Sequence, residues 1–173
     1  FKNGVPTWTD GNINDLEIGD SYGGGIITYF LQPGDPGYDT NVRHGIIAAP
    51  SDQSTGAKWG CWGTMISATS VLILTGATNT NAIVAGCSET GAAKLCDDLS
   101  LNTYTDWYLP SLYELGLMFT NLHTQGLGDF DEVAYYWSSS ENGSYNAWSF
   151  KFSNEEFCPD KNNLFRVRAV RSF

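Results

Sequence analysis

The chain has 173 residues, enough for one domain with a sizeable core and too many for a small disulfide scaffold. Charged residues are only 16 %, while 19 Gly, 9 Tyr, 9 Phe and 6 Trp mark a turn-rich, aromatic-packed domain and exclude a disordered segment. Nineteen acids against nine Lys and Arg leave a net charge of −10, so no nucleic-acid partner and no attraction to anionic membranes is expected.

The uncharged apolar runs, such as residues 46–49 and 71–74, are far shorter than the roughly 18 residues of a spanning helix, so no membrane insertion is expected. The chain opens on Phe1 without a leader pattern and reads as a piece of something longer. Residues 1–20 carry Pro6, several glycines and several acids with no sustained period, which suits a linker ahead of a domain at 21–173. Asp10, Asn12, Asn14 and Glu17 have calcium-loop spacing, but Asp15 stands where such a loop needs glycine, so no metal is expected there.

Gly23, Gly24 and Gly25 open a β-branched run over 26–31, and a long loop leads to a second strand over 44–49, ended by Pro50. A hairpin is expected. The triple glycine precedes a strand and not a helix, so it offers no helix N-terminus to phosphate. Between 80 and 99, Ala92, Leu95, Cys96 and Leu99 recur with helical spacing, and Gly86 and Gly91 bend or split the segment. A second helix over 111–122 starts on a capping box, Ser111 with Glu114, and buries Leu115, Met118, Phe119 and Leu122. Pro110 stops a short strand at 107–109.

The last forty residues are β. A strand over 135–140 turns at 141–144 into an alternating strand over 146–153. That alternation sends Trp148, Phe150 and Phe152 inward and Ala147, Ser149, Lys151 and Ser153 outward. A polar loop over 154–163 precedes a closing strand over 165–171, expected beside the strand at 25–31. Trp59, Trp62, Trp107 and Trp137 are expected in the core. Glu141 is expected to bond within its own turn, and Arg166, Arg168 and Arg171 to pair with acids of the body.

Cys61, Cys87, Cys96 and Cys158 form no CxxC pair, and neither His44 nor His123 is near them in sequence, so zinc is not indicated. In an oxidising compartment Cys61 with Cys87 is the first expected pair, because each lies in a glycine-flanked loop; Cys96, on a helix face, reads equally as a free buried thiol. Ser138, Ser139 and Ser140 have no His nearby, and no GxSxG, HExxH or DxD-type pattern occurs. No catalytic residue, metal or cofactor is therefore assigned.

The stretches YGGGIITYF, HGIIAAPSDQS followed by Trp59-Gly60, NTNAIV, AAKLCDDL, DWYLPSLYEL, YYWSSSEN and RVRAVRSF together resemble the C-terminal domain family of bacterial collagen-like adhesins. The resemblance runs through residues 20–173 and implies an α+β, C-type-lectin-like fold, with two helices packed on small antiparallel sheets and the terminal strands close together. The same fold serves formylglycine-generating oxidases, but these need neighbouring C-terminal cysteines, and only Cys158 lies in that region.

Residues 136–173 also resemble the variable region of proteins diversified by retroelements, in which adenines of a template are mutated. A frame of Trp137, Trp148, Phe150, Phe152 and Arg166-Val167-Arg168 is interleaved with Gly143, Tyr145, Ser149, Ser153, Cys158, Pro159, Asp160, Leu164 and Phe165, all reachable from an Asn codon. Lys151 and Glu155 are not reachable from AAC, and need another template codon or no diversification. The implied function is non-enzymatic recognition of a protein or glycan receptor on another cell, at a cell or virion surface. Oligomerisation would come through the parent protein. Contact is expected at Tyr145, Ser149, Lys151, Ser153, Glu155, Glu156, Cys158, Asp160, Asn163 and Phe165. Two alternatives are a glycan-cleaving or wall-modifying enzyme and a structural trimerising cap of a fibre; an enzyme needs a recessed pocket with perturbed carboxylates, a binder only a shallow surface.

Overall fold

The computed structural model describes residues 12–67 and 70–173, so Asp10 of the calcium-loop spacing lies outside the described residues. Among the described residues, nine strands, three short helices and two single-turn 3₁₀ segments make a mixed α+β fold. In chain order these are β1 (Ser21–Tyr22), β2 (Gly25–Phe30), β3 (Gly45–Ala48), β4 (Ser54–Ala57), α1 (Gly76–Gly86), α2 (Ala92–Asp97) and α3 (Leu112–Asn121). Then follow β5 (Tyr135–Glu141), β6 (Ala147–Lys151), β7 (Glu155–Phe157), β8 (Phe165–Val167) and β9 (Val170–Ser172).

The expected hairpin forms as β2 and β3, antiparallel, in a four-stranded sheet ordered β1-β2-β3-β9. A five-stranded sheet is ordered β4-β8-β5-β6-β7 and is antiparallel except where β5 and β8 pair in parallel at Tyr136 and Arg166. The closing strand is not one piece. It leaves the larger sheet after Val167 and joins the smaller one at Val170, beside β3 and not β2. Arg168 sits at that crossing, buried, with its guanidinium 4.4 Å from the Phe130 ring centre, and it donates to Asp52, Ala49 O, Gly128 O and Asp129 O. A single side chain thus satisfies backbone carbonyls of residue 49, just past β3, and of the loop before β5, at the point where the chain changes sheet. Residues 107–109 form no strand; Tyr108 makes an isolated bridge to Val170.

The segment foreseen over 80–99 is two helices. α1 starts earlier, at Gly76, and α1 and α2 are separated by residues 87–91. Gly91 stands directly before α2, where any Cβ would strike the Trp59 carbonyl, so glycine is required where the chain breaks. α3 carries the expected capping box: Ser111 Oγ accepts from Glu114 N at 3.3 Å, and Glu114 Oε2 accepts from Ser111 N at 2.7 Å. Its stripe of Leu115, Met118 and Leu122 is buried against Tyr136, Phe150 and Phe152. A second core joins Trp59, Trp107 and Trp137 to Ile27, Ile47, Ile83 and Cys96. Arg166 pairs with Asp52 and Asp131, and Arg171 holds Asp106 with two nitrogens, so all three terminal arginines brace the body as expected.

Candidate functional site

The register of the larger sheet decides which side chains of the expected contact set can meet a ligand. Directly opposite residues share a face, so Tyr135, Lys151 and Glu155 form one row, and Trp137, Ser149 and Phe157 the next. Phe165 lies across this face, 5.2 Å from Tyr135 and 4.7 Å from Trp137 between ring centres. The face foreseen as wet is therefore partly roofed by aromatics. Ser149 is 0 % exposed, flanked by Trp137 and Phe157, and its hydroxyl donates to Phe157 O at 2.9 Å; its place in an exposed patch is corrected. Trp148, foreseen inward, is only half-buried, while Ala147, foreseen outward, is buried like Ser149, because alternation presumes one dry face and one wet one and here both faces of β6 are covered.

Tyr145, Ser153, Glu155, Glu156 and Asn163 are exposed, while Lys151, Cys158, Asp160 and Phe165 are half-buried. Glu156 belongs to the row of Tyr136 and Phe150, the opposite face, so it borders the set without joining the Lys151 row. Lys151 Nζ lies 5.6 Å from the Tyr135 ring centre, and Tyr135 donates to Glu155 Oε1 at 2.7 Å. Asn142 Nδ2 donates to Cys158 Sγ at 3.0 Å.

The loop over 154–163 is more structured than its polarity suggests. It contains β7, and its far end turns inward at Pro159 and Lys161. Lys161 is 0 % exposed; its Nζ contacts Glu141 Oε1 at 2.6 Å, donates to Thr64 O at 3.0 Å and lies 4.5 Å from the Trp59 ring centre. Glu141, also buried, accepts from Ile66 N at 2.9 Å and Ser67 N at 2.7 Å, so it ties down a different loop and not its own turn. The ion pair and Gly63 N donating to Ser144 O hold residues 61–67 against the β5–β6 turn, and the Cys61–Cys87 disulfide ties the start of the same loop to the end of α1.

That loop delivers the one strong contributor that sequence reasoning placed in the core. Trp62 is 49 % exposed and meets Tyr145, 52 % exposed, edge to face at 5.0 Å and 67°. Trp62 Nε1 donates to Asp160 Oδ2 at 2.9 Å and Asn162 N to Asp160 Oδ1 at 2.8 Å. These two donors, the indole first, lower the Asp160 pKa below the usual carboxylate value. Gly60 and Gly63, flanking Cys61-Trp62, were the available signal that this Trp sits on a loop. Phe157 and Leu164 add further exposed apolar area along the same hairpin and its exit.

Ser138, Ser139 and Ser140 are buried and serve the frame: Ser138 Oγ donates to Trp148 O, Ser140 Oγ to Ser70 O, and Ser139 Oγ accepts from Asn79. Glu114 is the carboxyl most displaced by burial, raised to about 7, but both its oxygens accept from backbone N–H groups inside the fold. A cleft of about 370 Å³ lined by Ser51, Asp52, Gln53, Leu95 and Asp98 involves none of the contact set. Among the described residues no three His, Cys, Asp or Glu side chains are grouped to hold a metal, and no helix is long and apolar enough to cross a membrane.

No family model matches the sequence, and no curated protein matches it. Among solved structures, a fimbrial protein of Bacteroides ovatus superposes with a TM-score of 0.52 at 18 % identity, over 75 % of this chain. The superposed part is 35 % of that chain, so the likeness concerns the fold of about a third of a longer protein.

Proposed function

We propose that this chain is a non-enzymatic recognition domain of a surface-displayed protein, built on a C-type-lectin-like fold, that binds a protein or glycan receptor through the β6–β7 hairpin and its flanking loops. The observation that carries the reading is a division of labour along one short segment. Trp137, Phe150, Phe152 and Val167 are buried, while Tyr145, Ser153, Glu155, Glu156 and Asn163 stand exposed between them on braced backbone. A surface whose side chains can change without touching the core suits a diversified region at 136–173. The sharing of one sheet by β1, β2 and β9 supports the lectin-like fold, and the fimbrial neighbour and the Cys61–Cys87 bond support an extracellular setting.

The test is an exchange of Tyr145, Ser153, Glu155, Glu156 and Asn163 as a set for Ser, Asn, Gln, Gln and Ala. The exchanged domain should melt within a few degrees of the parent yet lose binding to the cells or immobilised glycans that retain the parent. Unchanged retention would refute the assignment of the binding face to this hairpin.

A further inference from the structure

The recognition reading leaves the chemistry of the ligand open, and the corner made by Trp62, Tyr145 and Asp160 narrows it. Resting on that reading, we infer that this corner takes a cationic side chain, an arginine or lysine, from a basic segment of a protein partner.

Three observations converge on a cation. First, the two rings meet at 67°, making a corner and not a platform, and each is about half exposed. A flat sugar ring prefers a single open aromatic face, whereas a compact positive group can touch two π-surfaces at once. Second, Asp160 presents acceptor oxygens only, each already holding one N–H donor, and the carboxylate keeps lone pairs for more. An ammonium or guanidinium, which only donates, matches it; a sugar hydroxyl, which both donates and accepts, uses it less well.

Third, among the described residues every cation but the exposed Lys58 is committed elsewhere. Arg43, Lys151, Lys161, Arg168 and Arg171 lie over Phe30, Tyr135, Trp59, Phe130 and Tyr104, and Arg166 and Lys94 pair with aspartates. Among the described residues no cation lies over Trp62 or Tyr145, and none pairs with Asp160. The chain thus pairs cations with rings repeatedly inside itself and leaves this ring pair open beside a carboxylate, on a molecule of net charge −10. The field of the whole protein steers a basic partner inward, and the corner selects the residue that docks.

The experiment titrates hexa-arginine into the intact chain and follows the Trp62 Nε1–H signal by ¹H–¹⁵N NMR, assigned with Trp62→Leu. Tyr145→Ser and Asp160→Asn should each weaken binding by about fivefold or more, the size of an exposed cation–π or charge-assisted contact. Glu132→Gln, an equal loss of charge at an exposed position just before β5, at the end of that strand opposite the turn that carries Tyr145, should change it less than about twofold. Because Tyr145→Ser alters no charge, equal affinity in that variant would show diffuse attraction to an acidic protein and overturn the inference. So would an Asp160→Asn effect no larger than that of Glu132→Gln. If Trp62→Leu disturbs the fold, Tyr145→Ser carries the decision alone. A Trp62 signal that moves with a neutral oligosaccharide and not with hexa-arginine overturns the cation but leaves the recognition reading standing, which the five-residue exchange tests separately.

Discussion

Replacing Lys161 by Met tests whether the buried ion pair is what fixes the loop over 61–67 against the β5–β6 turn. The substitution keeps the length and apolar stem of the side chain but removes the ammonium that contacts Glu141 Oε1 and Thr64 O. Glu141 then keeps its charge inside the fold with only the Ile66 and Ser67 N–H groups as partners. Leaving a buried charge uncompensated costs about 3–5 kcal/mol, whereas an exposed pair would cost well under about 1 kcal/mol. For a chain of this length, that loss lowers the melting midpoint by roughly 6–20 °C. Urea unfolding followed by tryptophan fluorescence is a suitable assay, since Trp59 lies directly beneath Lys161. The sharper part is the double variant. Lys161→Met with Glu141→Gln removes the orphaned charge while keeping an acceptor for the two N–H groups, so it should be more stable than Lys161→Met alone. A single variant that costs less than about 1 kcal/mol, or a double variant that is less stable than the single, would refute the argument.

Four further outcomes follow from the same geometry. Ser149→Ala should cost about 1 kcal/mol, the worth of its buried bond to Phe157 O, while Ser153→Ala stays within about 0.5 kcal/mol; equal denaturant midpoints would put Ser149 back on the surface. Phe152→Ala should cost about 3–5 kcal/mol, because its ring stacks on Phe130 at 4.2 Å in the core beneath α3. Burial lifts Glu114 from 4.5 to about 7, with Tyr108 close by, so its contribution to stability is full below 4.5 and is lost as pH rises through about 7. Urea midpoints between pH 4.5 and 8 should show that decline in the parent and not in Glu114→Gln. Opening the Cys61–Cys87 bond frees a loop with a sequence separation of 26, worth about 3.5 kcal/mol by chain entropy; an unchanged melting midpoint in Cys61→Ser/Cys87→Ser would contradict this.

What the sequence made legible was whatever a local rule could decide. The capping box at Ser111 and Glu114, the stripe of α3, the β2–β3 hairpin and the arginine pairing of the C-terminal stretch each depend on residues a few positions apart or on plain charge matching. What stayed hidden depends on partners far along the chain. Ser149 is buried because Phe157, eight residues on, lies opposite it, and alternation says which face a residue takes but not whether that face is wet. Lys161 read as a loop lysine, since nothing near it reveals that Glu141 and Thr64 will close around it. Trp62 misled in the other direction, because composition favours aromatic burial, and the glycines beside it, Gly60 and Gly63, were the only hint of a loop.

These misread positions share a physical logic that bears on function. A surface that tolerates side-chain exchange must hold its backbone by bonds those exchanges cannot break. In this hairpin the holding groups are backbone or buried: Ser149 Oγ to Phe157 O, Lys161 N to Tyr145 O, Ala147 N to Pro159 O, and the Glu141–Lys161 pair below. None of them uses the side chain of Tyr145, Ser153, Glu156 or Asn163. Glu155 makes one exposed bond, from Tyr135, worth little in water. The exposed side chains are thus nearly free of structural duty, and the energy that fixes their geometry resides one layer beneath them. In the proposed recognition role, substitution at the surface would alter which partner is met without moving the platform, which is the property a recognition face needs and a catalytic cleft, whose side chains must hold one another in place, does not allow.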